Sequence, residues 1–301
     1  MTHDHDHGAH DPRHAGRAFA LGIGLNLAFV LVEAVYGVLA HSMALLADAG
    51  HNLSDVLALT LAWGASTLAR RGPSERFTYG LRSSSILVAL LNAALLLVVT
   101  GGIAWEAINR LATPSPVAGE TVIWVALVGI VINGVGAMLF ARDRRRDINM
   151  RGAFLHLAAD AAVSLGVVIA GVGILATGWL WLDPLTGLVI AVAIVWSTWG
   201  LLRDSVALAL NAVPEHIDPR VVRTYLSLLA GVAGVHDLHI WAMSTTETAL
   251  TVHLVIPGGH PGDAFMAEVC KELRARYHVH HATIQVETGA HPCELAPDHV
   301  V

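Results

Sequence analysis

MALLADAGHNLSDVLALTLA, residues 43–62, is an apolar run broken by Asp48, His51, Asn52 and Asp55. Read as a helix, it sets His51 and Asp55 one above the other, because residues four apart share a helix face. A second run, RGAFLHLAADAAVSLGVV at 151–168, offers His156 and Asp160 at the same spacing and in the same order. Two His-x-x-x-Asp pairs on two helices supply two imidazoles and two carboxylates. That set suits a tetrahedral Zn²⁺ ion, which accepts His nitrogen and Asp oxygen and makes no geometric demand through its d-electrons. Magnesium or calcium would favour an all-oxygen set. Co²⁺ and Cd²⁺ stay open, because affinity order alone does not select zinc over its neighbours.

The rest of the chain is that of a membrane protein with a soluble tail. Its 301 residues are 54% hydrophobic and 14% charged, with a mean hydropathy of +0.59, far from the roughly one-quarter charged balance of soluble domains. Six stretches reach the ~20 apolar residues that a bilayer core demands: about 18–39, 44–69, 86–108, 122–141, 153–177 and 180–202. Six spans return both termini to one side. The loops on that side hold Arg70, Arg71, Arg76 and Arg82, then Arg142, Arg144, Arg145, Arg146 and Arg151, then Arg203, whereas the opposite loops hold Arg110. By the positive-inside rule both termini are expected in the cytoplasm. Trp105, Trp124, Trp179 and Trp181 fall near the outer span ends, where amphipathic rings prefer the headgroup level.

Asp55 then lies about eleven residues into its span and Asp160 about seven, or ~10–17 Å at 1.5 Å per residue, which is toward the bilayer midplane. A lone intramembrane histidine is commonly a hydrogen-bonded core residue. Two identical His/Asp pairs with no Lys or Arg in any span interior read instead as an ion path, because ionisable groups at that depth are costly. Asp48, three residues before His51, is expected to cap its helix or meet water near the outer end. Asn26, Glu33, Asn92, Glu106 and Asn133 are open to two readings, as supports for the ligands or as interhelical hydrogen bonds.

The first seventeen residues hold His3, His5, His7, His10 and His14. No apolar core or cleavage site marks them as a removable signal, and such a tract either gathers metal loosely or stays solvated. Cys270 and Cys293 are too few for a disulfide framework. A net charge of −6 and the absence of a long basic run exclude nucleic acid as a partner. From Asn211 the periodicity changes: a helical stretch, two strand-like runs (VHDLHIWAM and ALTVHLVI), a helix from Gly262 to Tyr277 and a last alternating run, ATIQVE. The order αββαβ predicts a small α+β domain, metallochaperone-like, with helices on one face of a three-stranded sheet. The expected divisions are a His-rich tail 1–17, a six-helix transport domain 18–209, a cytoplasmic metal-binding and dimerisation domain 210–290, and a terminal tail 291–301.

ALLADAGHNLSDV (44–56), RFTYGLRSSSILVALLNA (76–93), INRL (108–111), NMRGAFLHLAADAAVSLGVVIAG (149–171), TGWLWLDPLTG (177–187), VHDLHIWAMS (235–244) and HATIQVE (281–287) together resemble the cation diffusion facilitator family. The likeness is to its zinc-transporting members with two His-x-x-x-Asp pairs. Nearly the whole chain takes part. The resemblance implies a homodimer in a bacterial inner or plasma membrane that exports Zn²⁺ in exchange for protons by alternating access. Neutral imidazoles lose metal on protonation, which makes that exchange chemically sound. The resemblance also implies a cytoplasmic zinc site at His236, His253, His280 and Glu287, with His239 and His281 as competitors and a ligand from the Cys293 tail doubtful. Ser85 stands where many relatives have Glu, and the loop RRGPSERFTYGLR has no His, so no metal is expected there.

Two other functions are compatible with intramembrane zinc ligands. An intramembrane zinc hydrolase would keep an open coordination position for water, but four protein ligands fill it and an HExxH motif is absent. A membrane-anchored zinc sensor would leave the midplane aspartates without a purpose.

Overall fold

Six long helices open the chain in the computed structural model, which describes residues 12–69, 71–141 and 148–297. They are α1 (Pro12–Leu39), α2 (Met43–Ala69), α3 (Ser84–Ala112), α4 (Gly119–Phe140), α5 (Ile148–Thr177) and α6 (Leu182–Ala209). Then come α7 (Pro219–Ser227), β1 (Gly234–Ala242), β2 (Thr248–Val255), α8 (Asp263–Tyr277) and β3 (His281–Glu287). The arginines at 142 and 144–146 and His3, His5, His7 and His10 lie outside the described residues. The chain divides into two compact units. One comprises the residues up to Thr60 and Asn92–Trp199, the other Leu61–Leu91 and Gly200–Val301.

The first unit is built inside out relative to a protein in water. Val98, Leu139 and Trp196 are 74%, 74% and 85% exposed. Glu33, Asp48, Asn52, Asn133, Asp160, Ser164 and Asp183 are buried. Lipid imposes this arrangement, since an apolar solvent accepts Val and Trp and forces polar groups to find partners inside. Among the described residues four helices are long and apolar enough to cross a membrane: Ser84–Ala112, Gly119–Phe140, Met150–Thr177 and Leu182–Ala209. In α1 the apolar stretch Asn26–Leu39 is shorter, and α2 interrupts its apolar run with Asp48, His51, Asn52 and Asp55. The chain is a multi-pass helical membrane protein with a small α+β domain at its C-terminal end.

Inside this unit α2 begins against α6. Asp183 accepts hydrogen bonds from Ser42 Oγ, from Met43 N at 2.6 Å and from Ala44 N at 3.3 Å. A carboxylate at a helix N-terminus satisfies amides that have no partner within the helix and complements the helix dipole. One turn along α6, a Cβ on Gly187 would come within 2.9 Å of Met43 O, so the close approach of the two backbones requires glycine there.

The second unit carries the sheet. Its order is β1-β2-β3, with β1 and β2 antiparallel and β2 and β3 parallel. Central β2 alternates so that Leu250, Val252 and Leu254 enter a core with Val222 and Leu226 of α7 and Val269 and Leu273 of α8. Period 2 then turns Thr251, His253 and Val255 to the opposite face. The expected αββαβ order is present. Asp218 caps α7 by accepting from Arg220 N at 2.9 Å, and Pro219 follows at the first helical position, where its missing N–H costs nothing. The α2–α3 loop is tied to the β1–β2 turn: Arg82 Nη1 donates to Glu247 Oε2 at 2.5 Å, Ser83 Oγ to Met243 O at 3.2 Å, and Thr245 N to Ser85 Oγ at 3.1 Å.

Candidate metal centres

The two His-x-x-x-Asp pairs meet. His51 Nε2 is 3.2 Å from Asp160 Oδ1, and His156 Nε2 is 3.5 Å from Asp55 Oδ2 and 3.7 Å from Asp160 Oδ2. Ligand atoms of His51, Asp55 and Asp160 all lie within 4.8 Å of one another. A tetrahedral Zn²⁺ with bonds of ~2.0–2.1 Å has ligand-to-ligand edges of about 3.3 Å. The three His-to-Asp spacings are close to that figure, whereas His156 stands outside the group whose ligand atoms are all mutually close. Asp55 Oδ2 is buried without a hydrogen-bond donor; the His156 nitrogen is in ion-pair range but not in hydrogen-bond geometry. A buried acceptor of this kind is the electrostatic signature of a place for a cation.

The polar residues around the pairs sort differently from expectation. Asp48 neither caps α2 nor meets water: it is fully buried and accepts from Ser164 Oγ at 2.9 Å. Capping belongs to Asp183, which the sequence reading passed over. Its signal was the Asp-Pro pair opening an apolar run. Glu33, Asn92 and Asn133 are buried, whereas Glu106 accepts from Arg110 Nε at 2.9 Å on an exposed surface.

A second cluster lies on the sheet face turned away from the helices. His236 and His253 are cross-strand partners. His236 Nε2 is 3.2 Å from Glu287 Oε2, and His253 Nδ1 is 3.1 Å from Glu287 Oε1 and 3.7 Å from Cys293 Sγ. His236, His253, Glu287 and Cys293 have ligand atoms within 4.8 Å of one another. A zinc ion with Zn–N of ~2.05 Å and Zn–S of ~2.3 Å would set an N-to-S edge of about 3.5 Å.

His280 does not join this cluster. Its backbone N donates to Thr248 O at 2.8 Å, and Thr248 N donates to its Nδ1 at 3.2 Å. Those bonds fix it beside the first residue of β2, five residues or about 16 Å from His253 along the strand. The tail that seemed a doubtful source of a ligand instead brings Cys293 against His253. Asp237, also unforeseen, reaches His253 Nε2 at 3.3 Å and His239 Nε2 at 2.8 Å. It sits at φ 50° where the β1–β2 register slips between His236 and His239, a bulge that turns its side chain toward the cluster. His239 is engaged by Asp237 outside the four-residue group, and His281 packs edge-on to Tyr79 at 5.6 Å.

Desolvation favours the neutral form of Glu287, but hydrogen bonds from Gln285 and Cys293 and the charges of His236 and His253 outweigh it and hold the carboxyl below its usual range. For Cys293 the Leu295 amide favours the thiolate, while desolvation and the neighbouring Glu287 carboxylate together push the thiol up. A metal at this cluster must therefore displace a proton from sulfur.

Residues 20–208 match the family described as the cation efflux transmembrane domain, and residues 214–289 match the cytoplasmic domain of cation efflux proteins. The chain belongs to the cation efflux family. This cation efflux protein is 36% identical over 302 residues to the zinc transporter ZitB of Escherichia coli, covering 99% of this chain and 95% of ZitB. It is 32% identical to the cadmium, cobalt and zinc/H(+)-K(+) antiporter of Bacillus subtilis, covering 97% and 93%. It is 33% identical to the metal cation efflux system protein CzcD of Cupriavidus metallidurans, covering 98% and 92%. The family resemblance read from the sequence holds. The family moves cations, so the hydrolase alternative falls: the cation efflux protein is a transporter and not an enzyme.

Proposed function

We propose that this chain exports zinc from the cytoplasm in exchange for protons, holding the ion between His51, Asp55, His156 and Asp160 during alternating access. The observation that carries the reading is the 3.2–3.7 Å convergence of the two His-x-x-x-Asp pairs within the apolar-surfaced helical unit. Two carboxylates neutralise the divalent ion in a medium that tolerates no net charge. Two imidazoles let protons compete for the same lone pairs, so a site opened to acid releases its metal. Cadmium and cobalt fit the same donors, and relatives named for all three metals support that breadth.

In this reading α1–α6 are six spans occupying residues 18–209, with both termini in the cytoplasm and residues 1–17 as a His-bearing tail. Residues 210–290 form the cytoplasmic domain, through which two copies pair, and 291–301 are its tail. The match to a family model of the dimerising cytoplasmic domain supports the pairing. His236, His253, Glu287 and Cys293 form a second, cytoplasmic zinc site, with Cys293 in the place expected of His280. A bacterial inner or plasma membrane as host is supported by the bacterial relatives. Reconstituted protein tests the reading: zinc accumulation should follow an imposed proton gradient in the wild type and vanish in Asp55→Ala. Accumulation in Asp55→Ala equal to the wild type would refute the site.

A further inference from the structure

One helical turn from the His51/Asp160 contact lies a second group of acidic side chains that transport of a metal at the four ligands does not use. Glu33 of α1, Asp48 of α2 and Ser164 of α5 are each 0% exposed, and Asn52 is buried with them. Ser164 Oγ donates to Asp48 Oδ2 at 2.9 Å; Asn52 Nδ2 donates to Glu33 Oε2 at 3.0 Å and reaches Asp48 Oδ1 at 3.5 Å. These donors do not suffice, because Glu33 Oε1 is buried and has no partner. The carboxyl groups of Glu33 and Asp48 are thus held on either side of one amide nitrogen, Asn52 Nδ2, which both must share. Two ionised carboxylates only accept and cannot satisfy each other, so a proton on one of them supplies the donor that this buried pair lacks.

Among the described residues the surroundings offer no other counter-ion. Asp48 faces His51 of its own helix and Asp160 of α5, and Glu33 faces Asp48. Gly129 brings α4 against Ser164 and adds no ionisable group. Neither α2 nor α4 contains a Lys or Arg, and those of α1 and α5 stop at Arg17 and Arg151, more than two turns from the cluster. Two like charges in an apolar interior cannot both persist without a cation.

We propose that Glu33 and Asp48 share one proton and form a proton-holding station for the exchange, separate from the four metal ligands. The inference rests on the exporter reading above. Its place follows from the helix directions. His51 to Asp48 runs toward the start of α2, and Asp160 to Ser164 runs toward the end of α5. Both steps point the same way, because the two contacts make α2 and α5 antiparallel there. In the proposed orientation that way is the non-cytoplasmic side, where protons enter and zinc leaves. Enclosed, the pair keeps its proton; when the site opens outward, it exchanges that proton with water.

The test uses the full-length protein in liposomes with zinc inside and out and a pH gradient, beside zinc binding by calorimetry. Glu33→Gln should lose the acceleration of zinc flux by the gradient while binding zinc at the wild-type stoichiometry. Retention of the full acceleration in Glu33→Gln would overturn the station. A wild type that itself ignores the gradient would instead overturn the exporter reading beneath it. Infrared spectra of the wild type at neutral pH decide the matter even if a variant fails to fold: a protonated-carboxyl band is expected, and its absence would overturn the proposal. So would zinc retained at this pair in Asp160→Ala, which would make it a second metal site.

Discussion

His51 Nε2 stands 3.2 Å from Asp160 Oδ1 and joins α2 to α5 across 109 residues of chain. This contact crosses between the two His-x-x-x-Asp pairs, as does the approach of His156 to Asp55, so neither helix holds an independent site. Asp55 Oδ2 has no hydrogen-bond donor in this arrangement, so an ion entering between the pairs would meet an acceptor that the protein leaves unsatisfied.

Asp160 is the least accessible of the four proposed ligands, its side chain 5% exposed against 50% for His156. Replacing it with Ala removes both a ligand and the partner of two histidines. Zinc affinity at the transport site should fall by more than the roughly 10–100-fold that loss of an outer supporting contact costs. Calorimetry on purified protein checks this, and an unchanged affinity would exclude Asp160 as a ligand.

At the sheet-face cluster Cys293→Ser and His280→Ala should behave oppositely. Loss of the thiolate weakens zinc binding by about tenfold or more, whereas His280, about 16 Å along the sheet from His253, leaves the site's affinity unaltered. Competition with a chromophoric chelator reads both variants, with the transport site silenced by Asp160→Ala.

Zinc should leave the sheet-face cluster as pH falls, because protons compete for His236, His253 and the Cys293 thiolate. The metal-free domain has a separate pH dependence through Glu287. Its carboxyl is held below the usual range, so its contribution to stability is complete above the ordinary value of about 4.3 and is lost as acid carries the pH down through the lowered one. Thermal unfolding of the metal-free protein from pH 7 downward, compared with Glu287→Gln, should show a gap that closes in acid.

Asp183→Ala should destabilise the helical unit by about 1–3 kcal/mol, since it strips Ser42 Oγ and the Met43 and Ala44 amides of their acceptor in a buried setting. Thermal unfolding in detergent measures this, and zinc affinity of the surviving folded protein should stay near wild type.

The convergence of the two His/Asp pairs was legible because helical periodicity is local: a four-residue spacing, repeated, needs no knowledge of tertiary structure to put His and Asp on one face. The αββαβ order was legible for the same reason, period 3.6 giving way to period 2. What failed depended on register and on chain returning from elsewhere. His280 matched in residue type but sits at the wrong end of β2, and strand register is not written in spacing alone. Asp237 reaches His253 only because of a β-bulge, and Cys293 arrives through the path of the tail after β3. Asp183, not Asp48, caps α2, and the sequence hides this because a cap is recognised by the helix it ends against, here α2 for an aspartate on α6.

Zinc uptake into inside-out vesicles under an imposed proton gradient, comparing the wild type with His51→Ala and Asp160→Ala, tests the central claim most directly. Gradient-driven uptake in the wild type that disappears in both variants is the predicted result. Uptake undiminished in either variant, or insensitive to the gradient in the wild type, would contradict it.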